Sequence, residues 1–554
     1  MKNKFNLMFV AMLLMALPLL VSSCDDDDDK IDEVNPVNPD NPDTPTPTEK
    51  EKAEYTIIYY GHGGGDLDGG IISNIVDLCA AEDASYKKVS VAVQYKFSSQ
   101  MGLIENFGDI KDDPEEGIDS ELYGSSTIRF VVDPSKDIEK LLEDDVKTIM
   151  LKDKNLHIAD PKNLTEFINW AADSCPANKY IIVLSDHGGG YAPHEELPSS
   201  SLSKGLVYDD SNFIYIKGTE DVQREHFTVH TLVQAITDSK VRPEVIYLDA
   251  CLMNTIEYQF ELKDLANYLV LSGLSVPGPG GDYVTLVNEL AKDQDIEAAL
   301  TNFCKATVKT WDEATDEETN ERMFVYSDIT AIRTANIAAF GNEWKEFTSR
   351  LISAYQSGDA NAKEAIDDAT LNAFSMTVGF PMYDMIDYAN SIFEAAPDFF
   401  DEQFTKGFND AYDATIVHHQ PCKEFAKYGF TIGASVMLGC QNHFTNYNWD
   451  AEFDDDFEET GNIAYYGCAQ YASDGTMKIY DAEDNLEKTK SWGSTFNDTY
   501  KTLKFDQLTG WSSWIEINEQ EASRYSPAEF EWELTEDGFV NPYEEEELPI
   551  AAKK

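Results

Sequence analysis

Glu244-Val-Ile-Tyr-Leu-Asp-Ala-Cys-Leu-Met-Asn254 carries an almost unbroken apolar run, Val245 to Leu248, directly into a cysteine, with helix-patterned Asn254 to Leu265 behind it. The order strand, cysteine, helix places Cys251 at a strand-to-helix junction. In an open α/β sheet such junctions gather at the carboxyl ends of the strands, where ligands bind. Tyr180-Ile-Ile-Val-Leu-Ser-Asp-His-Gly-Gly-Gly190 ends the same way and delivers His187 followed by three glycines. As neighbours in one parallel sheet, the two strands would bring His187 and Cys251 out side by side. A thiol of pKa ~8.5 is only partly ionised at neutral pH; an adjacent imidazole favours the thiolate and later hands a proton to a leaving amine. Glycine after the histidine lets backbone NH groups approach a developing oxyanion, which makes Gly188 and Cys251 the candidate donors.

Working outward, further strands are expected at Tyr55 to Tyr60, Val89 to Tyr95, Thr127 to Val132 and Tyr268 to Leu271, with a strand-like Met323 to Tyr326. Helical patterns lie between several of them. Asn163-x-x-Glu166 reads as a capping-box start, with Leu164, Phe167, Ile168 and Ala171 on the buried face, and Phe227 to Ile236 is a second amphipathic stretch. Ile296 to Trp311, Ala335 to Tyr355 and Phe399 to Ala414 complete the helices. This alternation predicts an α/β fold, a mostly parallel sheet covered by helices on both faces. From Tyr428 onward, short β-type runs at 429–438, 465–471, 477–480 and 511–517 predict a β-rich C-terminal region. Asp249, two residues before Cys251, shares its side of the strand; Asp186 points to the face opposite His187, so no third catalytic acid is assigned.

The paired marks, strand-Ser-Asp-His187-Gly-Gly-Gly and strand-Asp249-Ala-Cys251-Leu-Met, resemble the clostripain family of cysteine peptidases, relatives of the caspases, gingipains and legumains. Asp160 to Ala171 and Val276-Pro-Gly-Pro-Gly-Gly-Asp-Tyr283 fit the same resemblance, which covers roughly residues 54–440. It implies a caspase-like fold and an endopeptidase cleaving after Arg or Lys through His187 and Cys251. It also implies Asp249 in the specificity pocket, where a carboxylate pairs with a guanidinium or ammonium, and Asp282 as a second substrate contact. Where the family carries acidic residues this chain has Ser272-Gly-Leu-Ser275, a departure in the pocket wall. Family members are commonly matured by cleavage between the histidine and cysteine segments. Here the Ala192 to Lys204 stretch, rich in proline and serine, offers the Lys204–Gly205 bond, with Lys217–Gly218 as runner-up. No cofactor is required by this reading. Clostripain itself is associated with calcium, and the acidic loops Asp209-Asp210 and Asp454-Asp-Asp456 are the candidate calcium ligands here, although neither has EF-hand spacing.

Composition bounds the alternatives. The 554 residues hold 42 Lys and Arg against 102 Asp and Glu, a net charge of −60, which argues against nucleic-acid binding and favours cationic substrates. Eight cysteines include no Cys-x-x-Cys pair, which removes ribbon-type zinc sites and leaves bridges among Cys422, Cys440 and Cys468 open. His226-Phe-Thr-Val-His230 has the spacing of a helical zinc pair but lacks the zincin glutamate, so no metal site is assigned. Gly61-His-Gly-Gly-Gly-Asp-Leu-Asp-Gly-Gly70 reads as a flexible strand-to-helix turn at the active-site edge in preference to a catalytic His62, because neither a Gly-x-Ser-x-Gly elbow nor a phosphate-loop ending accompanies it. The other class of function is a catalytically inactive peptidase-like surface lipoprotein that binds peptides or glycans.

The amino terminus predicts export. Met1-Lys-Asn-Lys4 and apolar Phe5 to Val21 read as a secretory signal, and Val21-Ser-Ser-Cys24 resembles the lipoprotein cleavage box, with Cys24 the lipidated residue. Asp25 to Asp29 resembles the acidic export tags of some Gram-negative surface lipoproteins. Proline-rich Ile31 to Lys52 is a tether spanning up to ~60 Å in a polyproline-like state. The expected organisation is residues 1–24 signal, 25–53 tether, 54–425 catalytic domain and 426–554 β-rich region, on an outer membrane-anchored lipoprotein at the cell surface or in the periplasm.

Overall fold

The computed structural model describes residues 52–99, 124–143, 146–153, 155–191, 205–215, 222–315, 324, 326–371, 373–374, 382–426, 434–438, 444–445, 468–471, 476–480, 486–491, 500–520, 533–535 and 538–540. Strands β1 (Ala53–His62), β2 (Val89–Lys96), β3 (Thr127–Val131), β4 (Ala177–Ser185), β5 (Leu206–Tyr215), β6 (Val222–Phe227), β7 (Val245–Asp249), β8 (Tyr268–Leu271), β9 (Asp328–Arg333), β10 (Met382–Asp384) and β11 (Ile416–Pro421) follow in chain order. Eight of them form one sheet in the order β11-β9-β8-β7-β4-β1-β2-β3. The middle pairings β2-β1, β1-β4, β4-β7 and β7-β8 are parallel, while β3, β9 and β11 join antiparallel at the margins. The central strands are near-continuous apolar runs because both faces are covered, as parallel sheets require.

Alternation along each strand sorts its side chains onto two cores. Ile58, Tyr60, Ile182, Leu184, Ile246 and Leu248 meet the helices Pro161–Ser174, Val229–Asp238, Ile256–Leu262 and Thr334–Tyr355 on one face. Ile57, Tyr59, Ile181, Val183, Val245 and Tyr247 meet Asp68–Cys79, Tyr283–Leu290 and Ile296–Glu313 on the other. Chain order reverses between β1, which continues to β2, and β4, which continues toward β7. The carboxyl ends of β1 and β4 therefore flank a topological switch point, the crevice where open α/β sheets bind ligands.

Several sequence expectations are corrected. A margin strand forms at Asp328–Arg333; of the stretch 323–326 only Phe324 and Tyr326 are described, and neither is in a strand, while β11 lacks the apolar run that marks the central strands, its residues all being half-buried. The helix at Pro161 starts at Asp160, whose side chain accepts from the Lys162 amide with proline at the first helical position; Asn163 is inside it and donates to the His157 carbonyl. The stretch Trp511 to Ile517 turns at Trp511 into the helix Ser512–Gln520, because Trp511, Trp514 and Ile515 all bury into the main core, Trp511 against Trp344. The strands Phe444–Thr445, Cys468–Tyr471, Thr476–Tyr480 and Leu486–Ser491 form a separate four-stranded antiparallel sheet. Among the described residues no helix is long and apolar enough to cross a membrane.

Candidate active site

Register brings the two chemically interesting residues level. Ser185 pairs with Asp249 in the parallel β4-β7 ladder, so two residues beyond each strand end His187 and Cys251 leave the sheet abreast. Gly188 is pressed against the second strand's exit: a β-carbon there would lie 2.4 Å from the Cys251 carbonyl oxygen and 3.0 Å from its nitrogen. Only glycine permits this approach. The segment Gly205–Val207 pairs on the other side, with Gly189 N donating to Gly205 O at 3.0 Å and Val207 N to His187 O at 3.3 Å. Among the described residues, neither the Gly188 nor the Cys251 amide donates a backbone hydrogen bond. Two NH groups free of backbone carbonyls beside a thiol have the makings of an anion cradle.

Cys251 opens a turn in which Leu252 sits at φ +63°. The turn is tied to the loop after β8: Leu252 N donates to Leu274 O (2.9 Å) and Asn254 N to Ser272 O (2.8 Å). Cys251 Sγ accepts from Val276 N at 3.2 Å. Burial pushes the thiol pKa up, the Val276 amide opposes that, and the nearby Asp249 carboxylate adds to it. The loop itself is held by Asp328, a fully buried carboxylate on β9 that accepts from Gly273 N, Leu274 N (both 2.9 Å) and Ser272 Oγ (3.1 Å). Sequence reading did not single out Asp328, which lies far along the chain from the wall it supports.

The His187 ring is held from the loop after β1. Its Nε2 is 2.6 Å from Asp66 Oδ1, and among the described residues its Nδ1 has no hydrogen-bond partner. Burial of the ring works to lower its pKa, but the Asp66 hydrogen bond and the Asp186 charge outweigh this, so the imidazolium is favoured; Arg224 opposes them weakly. Asp66 was also missed from sequence. It comes from the glycine run after β1, where Asp66 N and Leu67 N both donate to Gly63 O. The run is anchored, contrary to its reading as a flexible turn: Gly65 N donates to Ser98 Oγ (2.9 Å) and Arg224 Nη1 to Gly64 O (2.8 Å). His62 is buried, with Nδ1 on Lys96 O (2.9 Å) and Nε2 by Asp210. Asp186 accepts from His187 N (2.6 Å) and Tyr208 N (2.8 Å), and burial pushes its carboxyl up to about 6 against the pull of His62 and His187.

Asp249 is buried, with Tyr247 and Tyr283 hydroxyls donating to its two oxygens at 2.7 and 2.6 Å. Burial raises its carboxyl pKa against those hydrogen bonds. Gly280 and Asn74 lie against it: a β-carbon at Gly280 would be 2.5 Å from Asn74 Nδ2 and 2.7 Å from Asp249 Oδ2. Asp282 instead caps the helix Tyr283–Leu290, accepting from Thr285 N at 2.8 Å.

The remaining candidates separate. Asp209 and Asp210 do not fit a calcium ion. Both Asp209 oxygens hold the Lys96 ammonium (2.7 and 2.8 Å) and further donors from Ile158, Ser211 and Asn212, while Asp210 Oδ2 accepts from Ser99. With His62 as the third neighbour, whose pKa is raised to about 9 as Asp210 and the other carboxylates overcome its burial, the cluster is already charge-compensated, and calcium prefers oxygen ligands. His226 and His230 are no helical pair, because Thr228 caps the helix between them and His226 belongs to β6. Gly205 is buried, while Cys24, Lys204, Lys217, Gly218, Cys440 and Asp454 to Asp456 lie outside the described residues.

Comparison with known proteins follows the same lines. Clostripain of Hathewaya histolytica is 23% identical over 244 residues, 42% of this chain and 42% of that one, so the match spans under half of that relative's length. Among solved structures, a secreted cysteine protease from Bacteroides thetaiotaomicron in complex with an irreversible peptide inhibitor is 13% identical, covering 83% of this chain and 100% of that one, with a TM-score of 0.47. An inactive zymogen protease from Parabacteroides distasonis is 12% identical over 83% of this chain and 99% of that one, with a TM-score of 0.45. The sequence model of the clostripain family matches residues 126–517, and with most of its length inside that match the chain belongs to the clostripain family.

Proposed function

We propose that the protein is a cysteine endopeptidase that cleaves after Arg or Lys, with Cys251 as nucleophile and His187 as its acid–base partner. The observation that carries this reading is the parallel β4-β7 register, which sets the two residues abreast with Gly188 against the Cys251 backbone. The Cys251 proton passes to His187 as sulfur adds to the scissile carbonyl, and the Gly188 and Cys251 amides receive the oxyanion. Imidazolium then protonates the departing amine, and water hydrolyses the thioester. Asp249 receives the basic side chain: a guanidinium arriving beside a buried acid supplies the charge that keeps it ionised. The test is cleavage of a peptide library by the soluble portion beginning near Lys52, with and without chelator. Cys251-dependent cuts after Arg and Lys are expected; cuts indifferent to the residue before the bond would remove Asp249 from the pocket.

Self-processing at Lys204–Gly205 belongs to the same proposal. It is supported by the pairing of Gly205–Val207 with His187–Gly189, which would keep the new amino terminus in place after a cut. Mass analysis decides it: wild type should carry the break and the Cys251→Ala protein should not. Anchoring to the outer membrane through lipid on Cys24 is the corresponding proposal for location, and metabolic labelling with a radiolabelled fatty acid, lost in Cys24→Ala, tests it.

A further inference from the structure

We propose that Asp66 is the positioning residue for His187, holding Nε2–H so that Nδ1 is the nitrogen that exchanges the proton with Cys251. The assignment rests on the peptidase reading above. Its basis is the 2.6 Å contact between Asp66 Oδ1 and His187 Nε2 together with a loop in which Gly63 and Gly64 have no room for a β-carbon. A β-carbon at Gly63 would meet the Asp68 carboxylate at 2.3 Å, and one at Gly64 would lie 2.3 Å from Asp186 Oδ1 and 2.7 Å from His187 Cδ2. Gly64 and Gly65 also take φ of +61° and +110°, open to glycine and strained for other residues. The Gly64 backbone thus lies against the imidazole and carries the chain round to Asp66, with Arg224 clamping the Gly64 carbonyl.

The carboxylate next to His187 in sequence is unavailable for this role, because both Asp186 oxygens accept backbone amides. A carboxylate accepting from Nε2–H fixes one tautomer of the neutral ring, leaves a lone pair on Nδ1, and stabilises the imidazolium once the thiol proton arrives. The charged and titratable groups acting on His187 are Asp66 from the loop after β1, Asp186 from the end of its own strand and Arg224 from β6, while the β4-β7 register sets Cys251 at the neighbouring strand exit; His62 acts on Asp186. Asp66 is the one that bonds the ring, and its side chain is 55% exposed. Water competes for such a contact, so its removal falls short of the loss of a fully buried partner.

Asp66→Asn and Asp66→Glu in the full chain test it, with peptide turnover and, separately, alkylation of Cys251 by iodoacetamide measured across pH. Asp66→Asn should lower kcat by about ten- to a hundredfold with KM within about twofold. The acid limb of the rate profile, along which His187 must lose its own proton before it can accept the one from Cys251, should move to lower pH, since the imidazolium loses its stabilising charge. Asp66→Glu, which keeps a carboxylate, should restore most of the limb. An Asp66→Asn enzyme with wild-type kcat and limb, or an Asp66→Glu enzyme indistinguishable from Asp66→Asn, overturns the assignment while Cys251-dependent turnover still stands. Turnover that survives Cys251→Ala fails the peptidase reading and takes Asp66 with it.

Discussion

At the scale of single residues the site divides into groups that react and groups that hold them. Cys251→Ala should abolish peptide cleavage with the fold intact, and His187→Ala should lower kcat/KM by about a thousandfold, read by steady-state kinetics beside circular dichroism. Asp249→Asn should weaken cleavage after Arg and Lys by about 30-fold or more while leaving alkylation by iodoacetamide near wild type, because a small uncharged reagent needs no counter-charge. Equal loss of both would make Asp249 a structural support of the Tyr247 and Tyr283 hydroxyls. Lys96 and Asp209 form a buried ion pair whose side chains are fully inaccessible. Burial alone would raise the Asp209 pKa, yet Lys96 and His62 bring it down to about 2. A depressed carboxylate contributes stability above its unfolded value and loses it as pH falls from ~3.9 toward about 2. Lys96→Met, which leaves that charge uncompensated, should cost about 3–5 kcal/mol in denaturant melts at pH 7, with a smaller loss at pH 3. A uniform loss across pH would point to packing alone.

At the scale of elements, legibility followed hydrophobic pattern. The strands that end at Ser185 and Asp249 were readable because parallel strands covered on both faces are apolar throughout, and their ends announced His187 and Cys251. Asp66 and Asp328 were not readable, since each acts across a loop on a partner more than 50 positions away, and an isolated Asp has no periodicity to betray it. The glycine run after β1 was the available signal: three adjacent glycines at a strand end mark a backbone that something else must touch, here the His187 ring. Trp511 to Ile517 misled because aromatic and β-branched residues favour strands on average, whereas burial at positions 511, 514 and 515 follows a helix. Gly188→Ala tests the element-level claim. With no room for a methyl group against Cys251, the two strand exits must part, and kcat should fall by about 10²–10³-fold with the circular dichroism spectrum preserved. Retained activity would place the anion cradle elsewhere.

For the whole molecule, the net charge of −60 predicts association with basic peptides that weakens with salt. The kcat/KM for an Arg-containing peptide should fall severalfold between about 0.01 and 0.15 M ionic strength, as the Debye length shrinks from ~30 to ~8 Å. A neutral thiol reagent should show no such slope. The sheet itself is assembled from both sides of the stretch 192–204: β1, β2 and β4 precede it, while β7, β8 and β9 follow. A backbone break there changes the molecularity of folding. The cut protein would migrate as one species by gel filtration and as two chains in detergent. Its refolding would become second order, and its melting temperature would rise with protein concentration, because neither piece holds enough of the sheet to fold alone.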